Sequence, residues 1–356
     1  MGVVVSQSSS KVRVYFLGSG NLGMPILDSL LGDDSVELTG VGSQPDRPVG
    51  RKRVLAPTPF ARHALEAGIE VDRVASVNSP GFLEKLRALG IEILLVVAFG
   101  QLLKRELLQL PTFGCLNVHA SLLPNYRGAC PINAAILNGD TETGVSFMRM
   151  EAGLDTGPVY ESYGLSIGAT ETTVQLESRL GRLAAEHIGE VLWKIAREGL
   201  QPVPQASPTM PNVRKICKED GAIPWTCSAK RIYDMIRAYQ PWPRAYTCVP
   251  VQGELRRIQI TQATYSASTC GIAGQVLPGC GESLAIACGC GTLYNSDVDE
   301  CRLERGFEIL DLALVDGADD AILVRALHEE VLEGAVLDDG HPHLEFLGVD
   351  EDLFHC

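Results

Sequence analysis

The chain has 356 residues, 46% hydrophobic and 21% charged, which is ordinary globular usage and enough for two domains with separate cores. No run approaches the length of an uncharged membrane span, and the opening MGVVVSQSSS is short and lacks the basic start of a secretory leader, so neither insertion nor export is expected. The net charge of −14 argues against a nucleic-acid partner only until its distribution is read: residues 316–356 hold 12 acidic side chains and one basic one, and the rest is close to balanced.

Val12-Arg13-Val14-Tyr15-Phe16-Leu17 reads as a strand and Leu22 to Leu31 as the helix after it, the repeating unit of a parallel sheet. A strand at Val36–Val41, a long polar loop at Gln44–Pro57, and helices at Pro59–Ala67 and Pro80–Leu89 continue the alternation. The run Ile91–Ala98 is apolar at nearly every position, as a strand covered on both faces must be, and is predicted to be central. A strand at Gly114–His119, a helix at Pro131–Leu137, a strand at Gly144–Met150 and a loop ending at Gly157 follow. Then comes a long amphipathic helix from Thr172 to about Glu198, with Val174, Leu176, Leu180, Leu183, Ile188 and Leu192 at helical spacing.

Four prolines in Leu200–Asn212 predict an extended, semi-rigid linker. Beyond it, a helix at Ala229–Ala238 and the turn Gln240–Pro243 lead into short runs at Arg257–Ile260, Gly274–Val276, Leu284–Cys288 and Glu308–Leu314, the pattern of a small barrel. The expected class is therefore α/β. A Rossmann-like, mostly parallel sheet domain occupies 11–199, the linker 200–214, and a smaller OB-like β-barrel domain 215–334, between a disordered tail at 1–10 and an acidic tail at 335–356. The 11 cysteines are odd in number and scattered, so reduced thiols in a cytosol are expected. Cys280, Cys288, Cys290 and Cys301 cluster without a C-x-x-C spacing and read as small buried residues, so no metal site is expected.

Gly18 to Gly23, GSGNLG, has the spacing and the strand-to-helix context of a dinucleotide site, and alone it points to a nicotinamide-dependent oxidoreductase. That fingerprint also needs an acid at the end of the second strand to hold the ribose, yet the strand ends in Gly42-Ser43-Gln44 and the nearest carboxylate, Asp46, lies within the loop. The other reading is that these glycines permit a tight turn and close packing.

The stretch Asn117-Val118-His119 ends an apolar run, and strand alternation points the amide and the imidazole to one side. An amide that donates to a carbonyl oxygen, beside an imidazole that stabilises the charge growing there, suits acyl transfer. Asp155, between Gly153 and Gly157, is a carboxylate on a loop able to swing in beside them. By default, a histidine at a strand end is structural and an Asp among glycines is a turn residue. The single DTG triplet lacks the second carboxylate of an aspartic protease, and no G-x-S-x-G elbow occurs.

NVHASLLPNYRGACPINAAILNGDTETGVSFMRMEAGLDTGPVY, Asn117 to Tyr160, resembles the core of the folate-dependent formyltransferases. SQPDRPVGRKR at Ser43–Arg53 and RAYQPWPRAY at Arg237–Tyr246 resemble the branch of that family that formylates methionyl-tRNA, so the resemblance runs from about Lys11 to at least Leu314. It implies transfer of the formyl group of 10-formyltetrahydrofolate to the α-amine of methionyl-initiator tRNA, without a metal, by a cytoplasmic enzyme expected to be a monomer. It further implies Asn117, His119 and Asp155 as the catalytic group. Ser121, Leu122, Leu123 and Pro124 would line the folate site, with Phe99 and Gly100 against the pterin. An amino-sugar nucleotide as acceptor is the rival within the same family.

Arg47, Arg51, Lys52 and Arg53 place four cations within seven residues, a set suited to phosphate contacts, and the resemblance implies that this loop, most directly Arg51, meets the acceptor stem of the tRNA. The sequence departs from the family where a basic C-terminal domain is implied, because residues 208–315 carry 11 basic and 11 acidic side chains.

Overall fold

The first part of the chain alternates strand and helix: β1 (Val12–Gly18), α1 (Gly23–Leu31), β2 (Val36–Ser43), β3 (Arg47–Val49), β4 (Val54–Ala56), α2 (Pro59–Glu66), β5 (Val71–Arg73), α3 (Pro80–Ala88) and β6 (Ile93–Val97). It continues with α4 (Arg105–Leu108), β7 (Cys115–His119), α5 (Pro131–Leu137), β8 (Glu142–Arg149), β9 (Val159–Ser166) and α6 (Thr173–Trp193). The computed structural model describes residues 11–49, 53–251, 254–268, 271–277, 284–295, 302–303, 307–308, 311–314 and 322–325. Both terminal tails, Arg51, Lys52, Cys280 and Cys301 lie outside the described residues.

Seven strands form one sheet in the order β5-β2-β1-β6-β7-β8-β9, parallel from β5 to β7 and antiparallel at β8 and β9. The two-residue side-chain period sorts the apolar runs into two cores, one on each face. Val12, Val14, Phe16, Ile93, Leu95 and Val97 enter the core shared with α1, α5 and α6. Tyr15, Leu17, Leu94, Val96 and Cys115 enter the opposite one, with Leu83, Leu86 and Leu107 of α3 and α4. All five residues of β6 are buried, as predicted for a central strand. From β1 the chain runs outward to β2 and β5, then returns on the other side of β1 as β6, and such a reversal leaves a crevice at the carboxyl ends of the strands. His119 ends β7, the next strand over, on the same rim.

Three details differ from the sequence reading. The polar loop before α2 is a small antiparallel hairpin, β3 with β4. The strand β9, in a stretch to which the sequence reading gave no element, pairs along β8 from Glu142 to Met148. The long helix keeps its predicted start, with Thr172 and Gln175 forming a reciprocal cap, but it passes into a π-turn at Lys194–Glu198 and stops at Gly199, where φ is +73°.

The chain divides into two compact units, Met1–Lys218 with Arg237–Pro243, and Glu219–Ile236 with Arg244–Cys356. The second contains most of helix α7 (Ala229–Ala238), which buries Ile232, Met235 and Ile236 at helical spacing. Its strands are β10 (Ala245–Val251), β11 (Glu254–Ile260), β12 (Thr264–Ser266), β13 (Val276–Leu277), β14 (Leu284–Ala287), β15 (Thr292–Asn295), β16 (Arg302–Leu303), β17 (Phe307–Glu308), β18 (Asp311–Leu314) and β19 (Ile322–Arg325). They pair antiparallel in the orders β10-β11-β16-β17, β12-β15-β14-β13 and β18-β19. Among the described residues no helix is long and apolar enough to cross a membrane.

Candidate active site

Asn117 and His119 lie on the Cys115 face of β7, where the strand runs out of apolar partners. Asn117 is half-buried, and among the described residues its carboxamide makes no hydrogen bond. His119 is 6% exposed, and its Nε2 lies 2.9 Å from the carbonyl oxygen of Tyr126. A carbonyl can only accept, so Nε2 carries the hydrogen and Nδ1 is left for whatever faces it.

What Nδ1 faces is Asp155, with Oδ2 at 3.7 Å. That is ion-pair range but too long for a hydrogen bond. The same Oδ2 accepts the backbone N–H of Gly128 at 2.8 Å, and the Asp155 side chain is 14% exposed. The carboxylate expected to swing in is therefore already in place. Its backbone has φ of +52°, a left-handed conformation that a non-glycine residue keeps only when its surroundings impose it.

The loop after β7 is built around its own polar groups. Ser121 is fully buried, and its hydroxyl donates to the carbonyl of Asn125 at 2.7 Å. Ser146 on β8 donates to the Ser121 carbonyl at 2.8 Å and accepts the N–H of Leu123 at 3.1 Å. Of the four residues assigned to the folate, Leu122, Leu123 and Pro124 are half-buried and Ser121 acts inward. Tyr126, at φ +58°, donates its hydroxyl to Asp140, while its carbonyl holds His119. Burial, with Asp140 beside it, pushes the Tyr126 phenol up to about 12.

Phe99 does not face the rim. Its ring is 2% exposed within the second core, because the turn after β6 alternates inward there, and only its carbonyl is offered, to the Gln44 amide at 2.6 Å. Its neighbours Ala98, at φ +46°, and Gly100, at φ +79°, are exposed. On the hairpin, Arg47 and Arg53 are exposed. Arg47 donates to the Gln44 side chain at 2.5 Å.

The glycine turn is filled by protein. A Cβ at Gly18 would meet the Phe60 ring at 2.9 Å, one at Gly23 the same ring at 3.0 Å, and one at Gly20 would lie 3.2 Å from Ala98 Cβ. At the end of β2, Ser43 bonds Thr58, and Asp46 is paired with Arg73 at 2.6 Å. The glycines serve packing, and the acid that would hold a ribose is committed elsewhere.

Sequence reasoning missed the partners that are backbone atoms or distant in sequence. The Tyr126 carbonyl and the Gly128 N–H carry no side-chain signal; the glycine at 128, with φ of +118°, was the only visible mark. Gln205, inside the proline-rich segment, donates to the Asp155 and Gly157 carbonyls at 2.8 and 2.7 Å. The segment is tied down at both ends: Val203 pairs with Val159 and Val213 with Gly128.

Comparison with known proteins places these residues in a family context. Residues 11–192 match the family described as Formyl transferase, and residues 215–304 match Formyl transferase, C-terminal domain. The chain is 38% identical over 294 residues to a methionyl-tRNA formyltransferase of Citrifermentans bemidjiense, covering 82% of this chain and 89% of that one. Among solved structures, the N-formyltransferase from Helicobacter canadensis in complex with folinic acid and dTDP-3-aminofucose superposes with a TM-score of 0.58 at 17% identity, covering 80% of this chain and 99% of that one. HypX from Aquifex aeolicus in complex with tetrahydrofolic acid gives 0.56 at 16%, with 80% of this chain spanning 43% of that longer protein. At such identities these two structures show a shared fold.

Proposed function

The chain belongs to the formyl transferase family, within its methionyl-tRNA formyltransferase branch, and we propose that Asn117, His119 and Asp155 carry the transfer of a formyl group from 10-formyltetrahydrofolate to the α-amine of methionyl-initiator tRNA. The observation that carries this reading is the pairing of an uncommitted carboxamide with an imidazole whose far nitrogen is fixed and whose near nitrogen faces a carboxylate at 3.7 Å. The residues present suit the donor: Leu122, Leu123 and Pro124 offer half-buried apolar side chains to a flat ring, and Ala98 and Gly100 are exposed. The folate supplies the activated formyl carbon.

In the reaction a bond forms from the amine nitrogen to the formyl carbon, through a tetrahedral intermediate, and the bond from that carbon to the folate nitrogen breaks. One proton leaves the amine and one arrives at the departing nitrogen. Asn117 donates to the oxygen as it gains charge. His119 is held in one orientation by the Tyr126 carbonyl, so Nδ1 takes the amine's proton and returns it, and while protonated it adds to the stabilisation of the oxyanion. Asp155 lies on the same side and stabilises the charge on the ring; Tyr126, not Asp155, sets the ring's orientation. Free thiols at Cys115, Cys130, Cys217, Cys227, Cys248, Cys288 and Cys290 suit a reducing cytoplasm as the place of action.

The acceptor is assigned to tRNA through the β3–β4 hairpin, which presents exposed Arg47 and Arg53 together with Val54 and Leu55, 62% and 67% exposed. Cations beside uncovered apolar side chains suit a phosphate backbone flanked by bases. Reversing Arg51 and Arg53 to Glu together is expected to raise KM for methionyl-tRNA and leave KM for the folate unchanged. It should also flatten the dependence of log affinity on log salt by about 2, roughly 1 for each phosphate that is no longer neutralised. An unchanged KM for tRNA would remove the hairpin from the acceptor site. A parallel loss of folate binding would indicate a general disruption of the fold and equally count against the assignment.

A further inference from the structure

We infer that Gln205, in the proline-rich segment that follows α6, is a positioning residue of the formyl-transfer site, acting through Asp155. Its side-chain oxygen accepts from Arg127 Nε at 3.0 Å and Nη2 at 2.7 Å, and its side-chain nitrogen donates to the carbonyls of Asp155 and Gly157. Arginine can only donate, so the orientation of the carboxamide is fixed, and its two donors and both acceptor positions are all used.

The bonded partners matter more than their number. Arg127 sits between Tyr126, whose carbonyl holds His119, and Gly128, whose N–H holds the Asp155 carboxylate. Gln205 therefore clasps the loop that carries the acid to the loop that fixes both the imidazole and that acid. The backbone on either side completes the fastening. Val203 and Val159 exchange two hydrogen bonds of 2.8 Å, while Val213 donates to the Arg127 carbonyl at 2.6 Å and accepts from Ala129 at 2.9 Å. Asp155 keeps its left-handed backbone while its own carbonyl is pulled toward Gln205. Without that bond the loop can relax to a commoner conformation, and the carboxylate drifts from Nδ1.

The inference rests on the role proposed for Asp155, so the test separates the two. Steady-state and single-turnover formylation of methionyl-tRNA would be measured for the full chain and for Gln205→Ala, Asp155→Asn and the double variant. Misplacing a catalytic group by about 1 Å costs up to about 10²-fold, so Gln205→Ala is expected to lower kcat by roughly 10- to 100-fold, with KM for 10-formyltetrahydrofolate little changed. In the Asp155→Asn background the same substitution should have almost no further effect, because a residue that acts through Asp155 has nothing left to position.

Gln205→Glu serves where the alanine variant folds poorly: it keeps the arginine pairing but cannot donate to the two carbonyls, and it should show the same loss. Normal kcat in a folded Gln205 variant, or a full multiplicative loss on top of Asp155→Asn, overturns the positioning role. Normal turnover in Asp155→Asn itself overturns the role assigned to the acid, and the inference with it.

Discussion

Alanine at Asn117 or at His119 is expected to lower kcat for formyl transfer by about 10²- to 10³-fold, the usual loss when one donor to a developing oxyanion is removed. The two substitutions should differ in their effect on stability. The Asn117 carboxamide makes no hydrogen bond among the described residues, so Asn117→Ala removes no internal bond, and its thermal midpoint should stay near that of the parent chain. His119→Ala leaves the buried Tyr126 carbonyl without its partner, which costs about 1–3 kcal/mol. A catalytic loss without a stability loss at Asn117 is the signature of a group kept free for substrate. Turnover near that of the parent in either variant would contradict the scheme, and so would a catalytic defect at Asn117 that merely follows a loss of fold. The measurement is kcat and KM for both substrates, with thermal unfolding followed in parallel.

The second large effect is expected at a residue with no side chain. Gly128 has φ of +118°, and a Cβ there would lie 2.2 Å from the carbonyl oxygen of Val213 and 3.0 Å from that residue's backbone nitrogen and carbonyl carbon. These are backbone atoms fixed by hydrogen bonds on both sides of Gly128, so no rotamer change relieves the contact. Gly128→Ala combines backbone strain of about 1–3 kcal/mol with the parting of at least one hydrogen bond, so a destabilisation of about 2–4 kcal/mol is expected. Function should fall as well, because the Gly128 N–H donates to the Asp155 carboxylate at 2.8 Å and shifts with the loop. Denaturant unfolding of the variant checks the first part, and kcat checks the second. An alanine variant as stable and as active as the parent would mean that the backbones of Gly128 and Val213 can part without cost.

Much of the fold was legible because the sheet is covered on both faces. The unbroken apolar run at Ile91–Ala98 identifies a central strand, and the Thr172–Gln175 cap marks the start of α6. Strand alternation alone placed Asn117 and His119 on one side of β7. By contrast β9 is half-exposed along its length, with Glu161 and Ser162 interrupting its apolar positions, so it lacks the pattern of a covered strand. The hairpin strands β3 and β4 are three residues each, too short for any periodicity to register.

The site divides in the same way. Asn117, His119 and Asp155 stand out in the sequence because each carries chemistry in its side chain, and the structure brings His119 and Asp155 to within 3.7 Å. Phe99, set against the pterin by resemblance alone, has its ring in the core, because the turn after β6 sends it inward. The Tyr126 carbonyl and the Gly128 N–H exist in every peptide and acquire a role only through geometry. Gln205 binds carbonyls 48 and 50 residues away, a relation that no local pattern records.

The most direct test of the whole account is a formylation assay on the purified chain with 10-formyltetrahydrofolate and, in separate reactions, methionyl-tRNA or an amino-sugar nucleotide, scored for the N-formyl product. The expected result is N-formylmethionyl-tRNA, formed at a rate that Asn117→Ala reduces by about two to three orders of magnitude, with no product on the sugar. Formylation of the sugar alone, or of the tRNA at an undiminished rate without the Asn117 carboxamide, would contradict it.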